Sequence, residues 1–257
     1  TGLSPMLIFY ALKEHGLPIK IDGNPRPGEA PPREIRNRND EEAEAAREDV
    51  RLFLFFFDDY HVRLGNSLSV KEPLTRFGQT HLGPNDMVAI MYPLTPVEFI
   101  SFTRNHASII SAINSFEGRK FRYEPRNQFE ETYARYPTET VEQIRNSVVM
   151  SALEGAAVRL GALREGRKSI IYVSEGLTAL LPPQMRNQDA SMPGIIQGNP
   201  AAGRAMAGEN DPREQTAQWF GQSDLYSRMR EVYDTANRNN TAIYSLDARG
   251  LATGEYG

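Results

Sequence analysis

The sequence predicts an α/β protein of Rossmann-like, three-layer form, with a mostly parallel sheet between helices and one antiparallel edge strand. Two observations carry that expectation. Residues 51–62, RLFLFFFDDYHV, contain an apolar run too short for a membrane span and suited to a strand buried on both faces. Strand-like and helix-like stretches then alternate to the end of the chain, which is the pattern of a parallel sheet with helical crossovers.

Residues 1–22 carry turn signals at Gly16 and Pro18 and read as a partial N-terminal unit of short strands or a short helix. Residues 23–49 read as a linker and short helix. Prolines and glycines among charges (DGNPRPGEAPPREIRNRN) build no regular structure. Asp40 and the acids after it resemble a helix start, where negative charge meets the positive end of the helix dipole. The domain proper is expected over 50–250. After the strand near 51–57 comes a helix around 66–81 with Leu68, Leu74, Phe77 and Leu82 on one side, then a strand at 86–94 (DMVAIMYPL). PVEFISFT at 96–103 alternates apolar and polar residues and is expected as the antiparallel partner at a sheet edge. NHASIISAINSF predicts a helix with Ile109, Ile110 and Ile113 inward, and Val141, Ile144, Val148, Leu153, Ala157 and Leu160 predict a long helix over about 140–163. KSIIYVSEG at 168–176 and TAIYSLD at 241–247 read as strands, with the amphipathic LYSRMREVYDTANRNN between them. Two insertions interrupt this order, at 116–137 and at 182–215.

With 257 residues, 40% hydrophobic and 24% charged, the chain can bury one large core. Its 29 basic and 33 acidic residues leave a net charge of -4, which gives a nucleic-acid or anionic-membrane partner no electrostatic support. The absence of cysteine removes disulfides, thiolate catalysis and cysteine-ligated zinc. No apolar stretch is long enough to cross a membrane. The opening TGLSPMLIFY has no initiator methionine, and the chain reads as a piece of a longer polypeptide.

The order FLFFFDD, helix, GPNDMVAIMYPLTPVEFISFT, helix, REGRKSIIYVSEG, helix, NNTAIYSLDARGL resembles the von Willebrand factor type A domain over roughly residues 50–250. More narrowly it resembles the acidobacterial type A-related proteins, which join a short TGL unit to that domain. The resemblance implies a metal-ion-dependent adhesion site: Asp-x-Ser-x-Ser after the first strand, a later Thr, and an Asp after the fourth strand. These would supply a hard cation, Mg2+ or Mn2+, with oxygen ligands. Here the leading Asp falls on Asp58, the serine positions fall on Tyr60 and Val62, and the late Asp falls on Glu175 before Gly176. Ser147, Thr138 and Thr140 are candidates for the Thr. The expected site is therefore degenerate, with no bound metal as the main expectation. A rebuilt site of Asp58, Asp59, His61 and Glu175 would suit manganese or zinc.

Ligands gather at the carboxyl ends of strands in such sheets, so Asp58, Asp59, Tyr60, His61 and Glu175 are the candidate ligand-binding residues. The structural alternative is that the strand-end acids accept N–H bonds from the following turn. The 116–137 insertion sets six aromatics among basic and acidic residues, either as a protein-binding surface or as a lid packed on the domain. GALREGRKS imitates a phosphate-binding loop, but Arg167 stands where lysine should follow glycine, and the segment leads into a strand instead of out of one. The expected function is a non-catalytic protein-binding or adhesion-type module with a protein or surface ligand. The alternative is a metal-assisted hydrolase using Asp58, Asp59 and Glu175. An extracytoplasmic, exported place follows by analogy with the bacterial group.

Overall fold

The structure is a computed structural model and describes residues 35–178, 181 and 212–250, with side chains of the last helix described from Ser223 onward. The expected units at 1–22 and in the first part of 23–49 lie outside these residues, as does 182–211 of the second insertion.

Four strands form one all-parallel sheet: β1 (Leu52–Phe57), β2 (Met87–Met91), β3 (Lys168–Ser174) and β4 (Thr241–Asp247), in the spatial order β2-β1-β3-β4. The helices are α1 (Arg38–Ala45), α2 (Leu64–Thr80), α3 (His106–Ser115), α4 (Gln128–Glu131), α5 (Thr138–Leu163) and α6 (Pro212–Arg238). All six residues of β1 are buried, because β1 lies between β2 and β3 and both its faces are covered. The period of two then divides its side chains between two cores. Leu52, Leu54 and Phe56 join Val149, Leu153 and Leu160 of α5 and Val232 of α6, whereas Phe53, Phe55 and Phe57 join Val70, Leu74 and Phe77 of α2 and Ile109 and Ile113 of α3. This is the expected three-layer sandwich.

The antiparallel edge strand is not formed. Pro96 opens a 3-10 turn over Val97–Phe99, and among the described residues a single antiparallel bridge, Val88 with Thr103, reaches the β2 edge. Proline at the start of this segment has no N–H to give a ladder, and a 3-10 turn breaks the alternation that a strand requires. Leu68 is a second correction: it is 65% exposed, and Val70, Leu74 and Phe77 form the inward face of α2 instead. The last helix begins at Pro212, inside the segment read as a loop to 215.

The short helix in the linker region docks on the domain. Asn37 caps α1 by accepting the Asp40 N–H, Ala45 enters the core, and the buried Glu44 accepts from Arg104 at 2.7 Å.

Between β1 and β2 the chain moves to one side of β1, and β3 returns on the other. The carboxyl ends of β1 and β3 therefore flank the point where the strand order reverses, the usual place for a ligand crevice in open α/β sheets.

Candidate functional site at the carboxyl ends of the strands

Asp58 is the first residue beyond β1, where its N–H still bonds to the Val173 carbonyl at 3.0 Å. Its side chain is wholly buried and both oxygens are in use. Oδ1 accepts from the His61 backbone N–H at 3.2 Å and lies 2.9 Å from His61 Nδ1. Oδ2 accepts from the Tyr172 hydroxyl and from the Ser174 hydroxyl, each at 2.8 Å, and is also 2.9 Å from His61 Nδ1. Burial pushes this carboxyl up, but the adjacent imidazole and the hydrogen bonds outweigh it and hold the group below the ordinary carboxylate range. An acceptor-only carboxylate requires the His61 proton on Nδ1, and the buried Nε2 has no partner among the described residues.

Asp59 points elsewhere. Its Oδ2 accepts from Arg119 Nε at 2.7 Å, and burial raises its pKa despite that cation. Arg119 also donates to both Glu130 oxygens, one at 2.8 Å through Nη1, so the insertion is clamped to the loop after β1. Burial would raise the Glu130 carboxyl, yet the Arg119 bonds and the Arg126 N–H bring it down to about 2.

Tyr60, at the first serine position of the adhesion-site pattern, anchors the same cluster. Its hydroxyl donates to Glu130 Oε1 at 2.9 Å, and the guanidinium groups of Arg119 and Arg145 lie over its ring, 4.6 and 4.8 Å from its centroid. Val62, at the second serine position, is fully buried, and its carbonyl accepts the Lys120 N–H at 2.9 Å. A Cβ on Gly118 would overlap that carbonyl, so the close passage of the two segments requires glycine. Of the six aromatics in the insertion, Phe116, Tyr123 and Tyr133 are buried, whereas Phe129 and Tyr136 are each 48% exposed. The insertion is packed on the domain while presenting part of its aromatic surface.

Glu175 closes the crest from β3. Its N–H bonds to the His61 carbonyl at 3.2 Å, and its Oε1 accepts the Arg63 N–H at 2.6 Å and Asn66 Nδ2 at 2.8 Å. The carboxylate thus caps the N-terminus of α2, where negative charge is favoured, and Lys120 Nζ and Arg63 Nε lie 3.6 and 3.7 Å from its other oxygen. Asp58, His61 and Glu175 are brought together as one bonded crest. Asp59 and Tyr60 belong to the neighbouring clamp, and Ser147 faces α6, where it accepts from Arg228 at 2.7 Å. Thr138 is buried at the start of α5, and Thr140 is half-buried on the same turn. Among the described residues no three or more His, Asp or Glu side chains are grouped to hold a metal ion.

Beside the crest, between α5, α6 and the ends of β3 and β4, lies a cleft of about 270 Å³. Met150, Leu153, Leu177, Met229, Val232 and Ile243 make its walls apolar, and Ser245, Asp247 and Arg249 stand at its polar end. Arg249 binds both Asp247 oxygens and, with burial working in the opposite direction, holds that carboxyl below its ordinary range. Tyr172 and Ser174, the partners of Asp58, also line this cleft. Sequence reasoning missed Tyr172, Ser174, Asp247 and Arg249. The available signal was the final SLDARG, with an acid and an arginine at a strand end, and the serine before Glu175.

No family model, curated protein or solved structure matches the chain.

Proposed function

We propose that the chain is a non-catalytic binding module of the type A-like kind, with a degenerate cation site, which engages a protein or surface ligand at the carboxyl end of its sheet. One observation carries this reading: the Asp58 carboxylate is fully buried and bonded on both oxygens, while an apolar cleft beside it reaches the surface at Tyr233 and Arg249. A carboxylate whose lone pairs are committed to His61, Tyr172 and Ser174 serves the architecture, and the cleft offers area for contact. Glu175 is similarly committed to α2. Binding in this reading needs neither magnesium nor manganese, and an extracytoplasmic place belongs to the same reading.

The test is selection from a phage-displayed random-peptide library on immobilised chain in chelator, beside turnover assays with chromogenic esters and phosphate esters in manganese. Convergent peptides whose binding survives chelation are expected, with no turnover. Manganese-dependent turnover lost in Asp58→Asn would replace this reading with a metal-assisted hydrolase, and a selection that never converges would remove it.

A further inference from the structure

We infer that β4 is the pairing edge of a homodimer: a second copy of this chain adds its own β4 antiparallel to the first, so that the two four-stranded sheets become one continuous sheet. This goes beyond the binding reading above and does not depend on it.

The first ground is the backbone. The Lys168 N–H donates to the Asn240 carbonyl and the Ala248 N–H to the Ser174 carbonyl, each at 3.2 Å, so the even-numbered residues of β4 turn their N–H and C=O groups toward β3. Thr241, Ile243, Ser245 and Asp247 turn theirs outward. Among the described residues the outward groups of Ile243 and Ser245 meet no partner. The other edge of the sheet is blunted, because Thr103 takes both the N–H and the C=O of Val88 at 2.9 Å. An open edge without lysine or proline is the kind that pairs with another strand, and TAIYSL at 241–246 is such an edge.

The second ground is that this edge complements itself. Ile243 opposite the partner's Ser245, and Ser245 opposite the partner's Ile243, use the outward groups on both sides and set Tyr244 opposite its own copy as a cross-strand aromatic pair. The charges of the edge, Asp247 and the Arg249 bonded to it, stand at one end only. Antiparallel strands bring that end to the neutral Asn239, Asn240 and Thr241 of the other copy, so no like charges oppose each other along the strands. Such a pairing closes about a two-fold axis and needs no further copy.

The third ground is the helix above. Tyr226, Arg230, Tyr233 and Asn237 recur at helical spacing along one flank of α6, opposite the flank where Arg228 donates to Ser147 of α5. Tyr233 lines the cleft with Ser245, which puts this flank over the open side of β4. Tyr226 and Tyr233 are 69% and 43% exposed there, and tyrosine is enriched where proteins meet. Met229, Val232 and Tyr233 share the cleft with Ile243 and Ser245, so the middle of α6 stands above the middle of β4. One two-fold axis through Tyr244 then relates both elements, and the two copies of α6 run antiparallel, side by side. Arg230 and Asp234, placed evenly before and after Val232, come level with the partner's Asp234 and Arg230. Both are exposed and neither makes an ion pair among the described residues, whereas Glu231 turns to the outer side of the helix. Opposite charges meet twice, reciprocally, as an isologous contact requires.

The test is sedimentation velocity of the full chain between about 1 and 100 µM, where a dimer of micromolar affinity passes from mostly dissociated to mostly associated. A two-copy species is expected. Arg230→Asp, at an exposed position, should weaken it at least about tenfold by setting like charges against each other, and the double variant Arg230→Asp/Asp234→Arg should restore it. Ile243→Pro removes an outward N–H that no described residue accepts and should abolish the dimer, with circular dichroism checking the fold. If Ile243→Pro does not fold, the charge reversal and its restoration decide alone. Because the chain has no cysteine, Tyr244→Cys should form a disulfide between copies under mild oxidation, and Ser101→Cys, in the segment along β2, should not. A chain that stays monomeric throughout the range overturns the inference. So does a dimer that keeps its affinity in Arg230→Asp and in folded Ile243→Pro, since its contact would lie on another surface.

Discussion

Replacing Asp58 separates an architectural carboxylate from a ligand-binding one. In Asp58→Ala His61 Nδ1 and the Tyr172 and Ser174 hydroxyls lose their acceptor, whereas the His61 N–H keeps the backbone carbonyl of residue 58. Tyr172 and Ser174 line the cleft and can turn toward water, so the lasting cost falls on His61, which is fully buried. A buried donor without an acceptor costs about 1–3 kcal/mol. At about 2–4 °C per kcal/mol for a chain of this size, Tm should fall by roughly 2–12 °C. Asp58→Asn keeps the shape and one acceptor oxygen but turns an amide N–H toward donors, and should cost about 2 kcal/mol. The pH dependence has a definite sign. The folded carboxyl is held below its ordinary value of 3.8, so its contribution is present above that value and disappears as pH falls through the lower, folded one. Urea unfolding followed by tryptophan fluorescence between neutral and acid pH measures both effects, and the Asn variant should lose less stability on acidification than the wild type. An unchanged or raised Tm in Asp58→Asn would refute the architectural role, because a carboxylate kept for a cation is a liability in metal-free protein and its neutralisation stabilises.

Three further outcomes are expected. Arg119→Ala strips both Asp59 and Glu130 of their buried cation and should cost about 3–5 kcal/mol, with hydrogen exchange rising first in the 116–137 segment; Arg119→Lys should rescue little, because one ammonium cannot span both carboxylates as the planar fork does. Glu130, at about 2 against an ordinary 4.5, contributes stability that is present above 4.5 and lost as pH falls toward 2; Glu130→Gln should flatten the urea midpoint over that window. Gly118→Ala forces the 116–120 segment away from the Val62 carbonyl and should destabilise by about 1–3 kcal/mol, read as a shifted urea midpoint with unchanged slope.

The layout of the sheet was legible because burial on both faces writes itself into composition. An unbroken apolar run such as LFLFFF at 52–57 has few other homes, and the 3.6-residue spacing along 138–163 separates helix from strand. The edge at 96–103 misled because alternation in a short segment does not by itself make a strand: Pro96 opens a turn in which none of Val97–Phe99 is buried, and Ile100 and Phe102, in the opposite phase, enter the core instead.

The sequence by itself determined that Asp58, His61 and Glu175 would stand at strand ends in a parallel sheet. Only the tertiary structure decided which groups they meet there. A carboxylate is a ligand or a strut according to whether its lone pairs are already taken, and the takers come from far along the chain: Tyr172 and Ser174 for Asp58, Arg63 and Asn66 for Glu175, Arg119 for Asp59. The same holds for the cleft, whose walls come from two helices and two strands. Local pattern fixes which way each side chain leaves the backbone, but whether it meets a partner or open space depends on elements a hundred residues away.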